Sequence, residues 1–209
     1  MLLDIVKMYA EPMDVRRKVL DASLAFIAKE GPDGLSMRDV ARRAGISHQA
    51  PYHHFGDRAG IFAAISEEGF KMLTAAFREV LTSSSHPSRG CLEQYLRMAL
   101  DHPGHFRVMF RSDICGLGID EAATKAADES FGELLNTVDR ITGGSVSESK
   151  RQAWASLLWS IAHGFATLLL DGPLLIKVPQ SIGSKQHIED VIDLMTEMVD
   201  RQAALLTAN

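Results

Sequence analysis

Apolar residues recur three and four positions apart along almost the whole chain, and no run alternates β-branched with polar residues. The pattern predicts helices throughout. A first helix is expected over 14–29, with Val15, Val19, Ala22, Phe26 and Ile27 on its buried stripe and a stop at Glu30-Gly31-Pro32. Ser36 opens a short helix over 37–43, with Asp39 as the acidic partner of a capping box. After the tight turn Ala44-Gly45-Ile46, Ser47 is expected to cap a third helix over 48–54, and Asp57 a fourth over 57–81. Ser83 to Gly90 reads as a linker, and further helices follow at 90–101, 103–111, 120–141, 148–170 and 187–206.

Segment 36–55, SMRDVARRAGISHQAPYHHF, has the layout of a helix-turn-helix, two short helices joined by a turn whose Gly45 tolerates a positive φ. Val40, Ala41, Ala44, Ile46 and Phe55 supply the contacts that hold the pair together and to the first helix. The second helix of such a pair presents its N-terminal residues to the DNA major groove. Here these are Ser47, His48, Gln49 and Ala50. A glutamine can read adenine through two hydrogen bonds, and an alanine methyl can pack on a thymine methyl. Tyr52 and His54 suit phosphate oxygens, with His53 beside them. Ser36, Arg38 and Arg58 add hydroxyl and charged contacts to the backbone. Pro51 falls in the first turn, where its missing N–H costs little.

A formal charge of −5 argues against a DNA binder until it is divided along the chain. Residues 1–60 carry nine Lys/Arg against eight Asp/Glu, whereas 61–209 carry thirteen against nineteen, so an anion-binding surface belongs to the first sixty residues. Cys91 and Cys115 are too few for a disulfide framework or a zinc site, and His102-Pro103-Gly104-His105 has no further ligand placed to complete a metal shell. No metal or other cofactor is expected. The N-terminus carries acidic residues at 4 and 11 and no signal-like apolar run, and a cytoplasmic location is expected. Residues 153–170 hold no formal charge, but Ser156, Ser160, His163 and Thr167 interrupt them and Asp171-Gly172-Pro173 stops them. A buried helix fits better than a membrane span. No carboxylate pair, nucleophile–base pair or phosphate loop appears at workable spacing, so an enzyme is not expected.

Residues 16–62, from Arg16-Arg17-Lys18 through Ser36-Met37-Arg38-Asp39-Val40-Ala41 and Ala44-Gly45-Ile46-Ser47 to Tyr52-His53-His54-Phe55 and Asp57-Arg58, resemble the DNA-binding domain of the TetR family of bacterial transcriptional regulators. The resemblance implies that the third helix enters the major groove and that Tyr52 and His54 lie near phosphates. Arg58 stands where the family usually has Lys. Pro51 and Gly56 depart from the usual Leu and Pro. Trp159 to Gly164 and Leu170-Asp171-Gly172 look like the Trp…His-Gly signature of one C-terminal subclass, and His102-Pro103 leading to Phe106–Phe110 fits the same subclass.

The expected architecture is all-α with about nine helices: an arm at 1–13 that is a candidate for disorder, a helix-turn-helix domain at 14–60, and a helical effector-binding and dimerisation domain at 61–209 reached through helix 57–81. The resemblance implies a repressor released from a palindromic operator by a small, largely apolar effector; an architectural DNA binder without a ligand is the alternative. Phe106, Met109, Phe110, Phe131, Trp159 and His163 are candidates for the effector pocket. For His163 two readings stand, a polar group that orients an effector or a core histidine bonded to a carbonyl or a partner helix. Helices 148–170 and 187–206 are apolar on more sides than one core needs, which suggests a homodimer seam of four helices. Trp154, Leu158, Ile161, Phe165, Leu169, Val191, Met195, Met198 and Val199 are its candidates.

Overall fold

The computed structural model describes residues 2–207, with side chains from Val15 to Leu206. Backbone 2–13, expected as an arm, continues the first helix ahead of the expected start at Asp14. Among the described residues there is no strand and there are ten helices. These are α1 (Leu2–Glu30), α2 (Met37–Ala44), α3 (Ala50–Phe55), α4 (Arg58–Ser83), α5 (Pro87–Asp101), α6 (Pro103–Met109), α7 (Glu121–Thr142), α8 (Glu148–Leu170), α9 (Pro173–Lys177) and α10 (Ser184–Thr207). The all-α expectation holds. The addition is α9, a single turn opened by Pro173, too short to show a period.

The chain forms two compact units. One comprises residues 1–70 with 102–127, the other 71–101 with 128–209. Both α4 and α7 run through from one unit to the other.

In the first unit α1 packs against α2, α3 and α6. Its core is Val19, Leu20, Phe26 and Ile27 from α1, Leu35, Met37 and Val40, and Ile61, Phe62 and Ile65 from α4, closed by Val108 of α6. Ser23, fully buried on α1, returns its hydroxyl proton to the Val19 carbonyl at 2.8 Å, so the core keeps no open donor there. A polar cluster spans the same helices. Arg17 of α1 donates to both oxygens of Glu68 on α4, at 2.9 and 2.8 Å, and Nε2 of His105 on α6 approaches the same carboxylate at 3.2 Å. Burial pushes Glu68 upward, but the hydrogen bonds from Arg17 and His105 outweigh it and hold the carboxyl below its usual range.

In the second unit α5 packs against α8 and α10, and α9 folds back on α8. The α5–α10 contact is reinforced at its surface by Arg89, which pairs with Glu189 at 3.1 Å and with Asp193, and by Ser88, whose hydroxyl donates to Asp200 at 2.7 Å. On α7, Glu133 takes the guanidinium of Arg78 from α4 at 2.6 Å. Cys91 is buried against Thr137, and burial pushes its thiol up to about 11, so it is an inert core residue.

His105 is only 6% exposed, and burial lowers its pKa below the ordinary 6.5 in spite of the bond to Glu68; His102 and Arg17 oppose protonation as well. Below pH 6.5 the unfolded chain therefore takes up a proton that the folded chain resists, and stability falls as pH falls. Melting temperature measured from about pH 7 down to about pH 5 should decline, and His105→Gln should flatten that decline.

Candidate nucleic-acid interface

The helix-turn-helix is assembled from local chemistry. Ser36 accepts the Asp39 N–H at 3.1 Å and donates its own hydroxyl proton to the Asp39 carboxylate at 2.8 Å, which pulls that carboxyl below its usual range. This closes the N-terminus of α2 as expected. Gly45, at φ 65°, ends the helix, its N–H turned back to the Ala41 and Arg42 carbonyls, and the Ile46 N–H follows it to Ala41 at 3.1 Å. Ile46 and Phe55 are half-buried against the α1 core, as the pattern predicts.

The third helix differs from expectation. It begins at Ala50 rather than His48, Gln49 stands at its N-cap position, and Ser47 makes no side-chain cap. The reason is Pro51. An α-helix begun at His48 would need the N–H of residue 51 for the Ser47 carbonyl, and proline has none. That carbonyl takes the Ala50 N–H instead, at 3.1 Å, so Ser47 to Gln49 form a tight turn ahead of the helix. Ser47, His48 and Gln49 are all exposed there, and their side chains are free of any capping bond.

The remaining expected DNA contacts fall on the same stretch. Tyr52 is 48% exposed, Arg38 and His53 are exposed, and Ser36, Ala50 and His54 are half-buried. Pro51 is buried and faces inward, which orients the other residues outward. Arg16 lies over the ring of Phe55 at 5.2 Å and Arg43 over Phe26 at 4.9 Å, so both cations brace the domain from outside its core. Asp57 caps α4 through the Gly60 N–H at 3.0 Å, as expected.

Arg58 is placed otherwise than its expected phosphate role suggests. Its Nη1 donates to the carbonyl of Asp33 at 3.1 Å and to that of Leu35 at 3.4 Å, and the guanidinium lies over the Phe62 ring at 5.4 Å.

The pocket candidates are divided between the two compact units. Phe106, Met109 and Phe110 belong to the first unit and Phe131, Trp159 and His163 to the second. In the first, Phe110 stands edge-on to Phe70 at 5.6 Å and to Phe106 at 5.2 Å, with Met109 fully buried. In the second, the Trp159 indole N–H donates to Tyr95 Oη at 3.1 Å, and Tyr95 Oη lies 2.9 Å from His163 Nδ1. An indole nitrogen can only donate, so the tyrosine oxygen accepts from Trp159, and the direction of its bond to Nδ1 follows the imidazole tautomer. Burial lowers the His163 pKa and thereby favours the neutral imidazole. His163 is thus bonded to a side chain of its own unit. Tyr95 was missing from the sequence-based set; a lone tyrosine in Glu93-Gln94-Tyr95-Leu96 gives no sign of a partner sixty-eight residues away.

Of the dimer candidates, Met198 is exposed, while Trp154, Leu158, Ile161, Val191, Met195 and Val199 are half-buried. Phe165 and Leu169 are corrections. At 5% exposure each is turned into its own unit, with Ala155, Ala162 and Ala166, because these positions fall on the α8 face that packs inside the unit. The exposed apolar residues of α8 are Leu157, Trp159 and Leu168, and α10 adds Leu194 and Leu205. The helix expected to be buried is therefore covered on one face only, and by length and composition alone it is the one helix among the described residues apolar enough to cross a membrane.

Fold and site together define a helix-turn-helix DNA-binding protein. The family model described as "Bacterial regulatory proteins, tetR family" matches residues 19–65, and that for "Tetracyclin repressor-like, C-terminal domain" matches residues 88–200. The chain belongs to the TetR family and is a DNA-binding transcriptional regulator. It is similar to the HTH-type transcriptional repressor AcnR of Corynebacterium diphtheriae, 25% identical over 190 residues that cover 88% of this chain and 90% of that protein. It is also similar to the HTH-type transcriptional regulator BetI of Cronobacter sakazakii, 24% identical over 190 residues, covering 90% and 91%. Among solved structures, a protein of unknown function from Rhodococcus sp. RHA1 is 28% identical with a TM-score of 0.70, covering 90% of this chain and 94% of that one.

The first turn of α4 meets the end of α3 at Gly60, where an added Cβ would stand 2.0 Å from the Phe55 carbonyl oxygen. Backbone cannot yield there as a flexible side chain could. Gly60→Ala should cost about 1–3 kcal/mol of stability, read by thermal or denaturant unfolding, and should weaken DNA binding by tilting α3.

Proposed function

We propose that this protein is a homodimeric repressor that reads a palindromic operator with the Ser47–Tyr52 stretch of each subunit and is released by a small, largely apolar effector. The observation that carries the reading is the exposed turn Ser47-His48-Gln49 at the head of α3, held outward by buried Pro51. Ser36, Arg38, Tyr52, His53 and His54 surround it with phosphate-seeking groups, while Gln49 and Ala50 supply base contacts. A regulator working on DNA in a bacterial cell acts in the cytoplasm.

In this reading DNA recognition belongs to 14–60 and effector binding and dimerisation to 61–209, with 61–70 and 102–127 packing in the same compact unit as the DNA-reading helices. Helices α4 and α7 each contribute residues to both compact units, which supports a link between the two activities through the chain itself. The neutral Trp159–Tyr95–His163 chain beside Phe131 suits an uncharged effector, since an ionic one would need an opposing charge that these side chains do not offer. Coupling of about 1–3 kcal/mol between effector and DNA would shift operator affinity several-fold to a hundredfold.

The dimer rests on the uncovered face of α8 and α10. Leu157, Leu168, Leu194, Met198 and Leu205 are exposed in the single chain, and two helices from each copy would bury them in an isologous four-helix seam.

Selection from a random-sequence duplex pool should return an inverted repeat whose half-sites are spaced by whole helical turns. Gln49→Ala should cost about 1–3 kcal/mol and relax preference at one base pair of each half-site. A single half-site, or unchanged preference in the variant, would defeat the assignment. The combined Leu157→Asp, Leu194→Asp variant should sediment as a folded monomer at micromolar concentration where the parent is a dimer.

A further inference from the structure

The chain entering α2 is gripped from two sides. Arg58, the first residue of α4, sends Nη1 to the carbonyl oxygens of Asp33 and Leu35. Arg111, which follows α6, holds the Asp33 carboxylate through Nη2 at 3.0 Å and is itself fixed by Asp113. Leu35 is buried in the core, and the next residue, Ser36, caps α2. A guanidinium lying over Phe62 while bonded to these carbonyls is therefore directed at the loop that sets where α2 begins.

We infer that Arg58 serves DNA binding as a positioning residue: it fixes the 33–36 segment, and through α2 the presentation of α3, instead of contacting a phosphate. This rests on the helix-turn-helix reading above and assigns Arg58 a different part in it. Two arginines from different elements converge on one short loop, and a solvated phosphate contact requires neither. Lysine would keep the charge of Arg58 but not the planar guanidinium that lies on the Phe62 ring while its Nη1 reaches both carbonyls. A phosphate contact is a matter of charge and shows in the salt dependence of binding; a positioning contact is a matter of geometry and does not.

The test measures affinity for the duplex selected by the parent protein, as a function of salt, for Arg58→Lys, Arg58→Gln, Arg111→Ala and Arg38→Ala, with melting temperature recorded for each. Both Arg58 variants and Arg111→Ala should bind about tenfold more weakly with the salt slope of the parent, a loss expected when a charge-assisted hydrogen bond goes. Arg38→Ala should lower the slope by about one, as a phosphate contact does. Parental affinity in Arg58→Lys, or a slope lowered by about one in Arg58→Gln, overturns the inference. So does a lowered melting temperature with parental affinity in the folded variants, which would make Arg58 a plain brace. Should the Arg58 variants not fold, Arg111→Ala decides alone by the same criteria. A parent that selects no duplex overturns the helix-turn-helix reading as well, whereas a binding parent matched by Arg58→Lys overturns this inference only.

Discussion

A helix of six residues cannot hold itself in water, because nucleation costs more than so few hydrogen bonds return. Everything in the first unit depends on supplying α3 with order from outside. Pro51 is buried beneath it, Phe55 is half-buried against the α1 core, and Gly60 lets α4 start in contact with its last carbonyl. These three contacts lie at the beginning, at the end and just beyond the helix. Gln49, Tyr52 and His53 are left at the surface, and exposure of these proposed reading residues is the complement of burial of the others.

The same economy governs charge. The near-balance of the first sixty residues suggests arginines held ready for phosphate, yet most of those with visible partners serve the fold. Arg17 binds Glu68 and Asp21, Arg16 and Arg43 lie over phenylalanines, and Arg58 binds backbone. Such contacts leave the cationic surface potential in place while fixing where each charge stands. Guanidinium suits both tasks, since it is weakly hydrated, planar and always charged.

Features set by neighbours in sequence were legible before the structure. The Ser36 cap, the Gly45 turn, the Asp57 cap and the Gly31 stop each depend on atoms within four residues. The start of α3 departs from the pattern because the missing N–H of Pro51, tolerable in a first turn, is the one that the Ser47 carbonyl would need for a helix begun at His48. Contacts between distant residues were not legible at all. Nothing near Arg58 points to the carbonyls of Asp33 and Leu35, and nothing near His163 points to Tyr95. Phe106 and Phe131 look equivalent as pocket residues, yet the two residues fall in different units; aromatic spacing along a chain does not say which core an aromatic joins.

Helix α8 shows how one hydrophobicity signal can conceal two causes. Its uncharged run from 153 to 170 sums an inner face of Ala155, Ala162, Phe165, Ala166 and Leu169 with an outer face of Leu157 and Leu168. Small residues dominate the inner face, which is what allows α5 to approach, and leucines the outer. A helix needing only its own core would carry polar residues on that second face, as α7 does with Lys125, Asp128 and Glu129. Trp159 stands between the two faces, 40% exposed yet fixed by its bond to Tyr95. Coverage of the outer face would thus act on the residue that begins the Trp159–Tyr95–His163 chain, so in the proposed dimer the seam and the polar interior of the second unit would share one side chain.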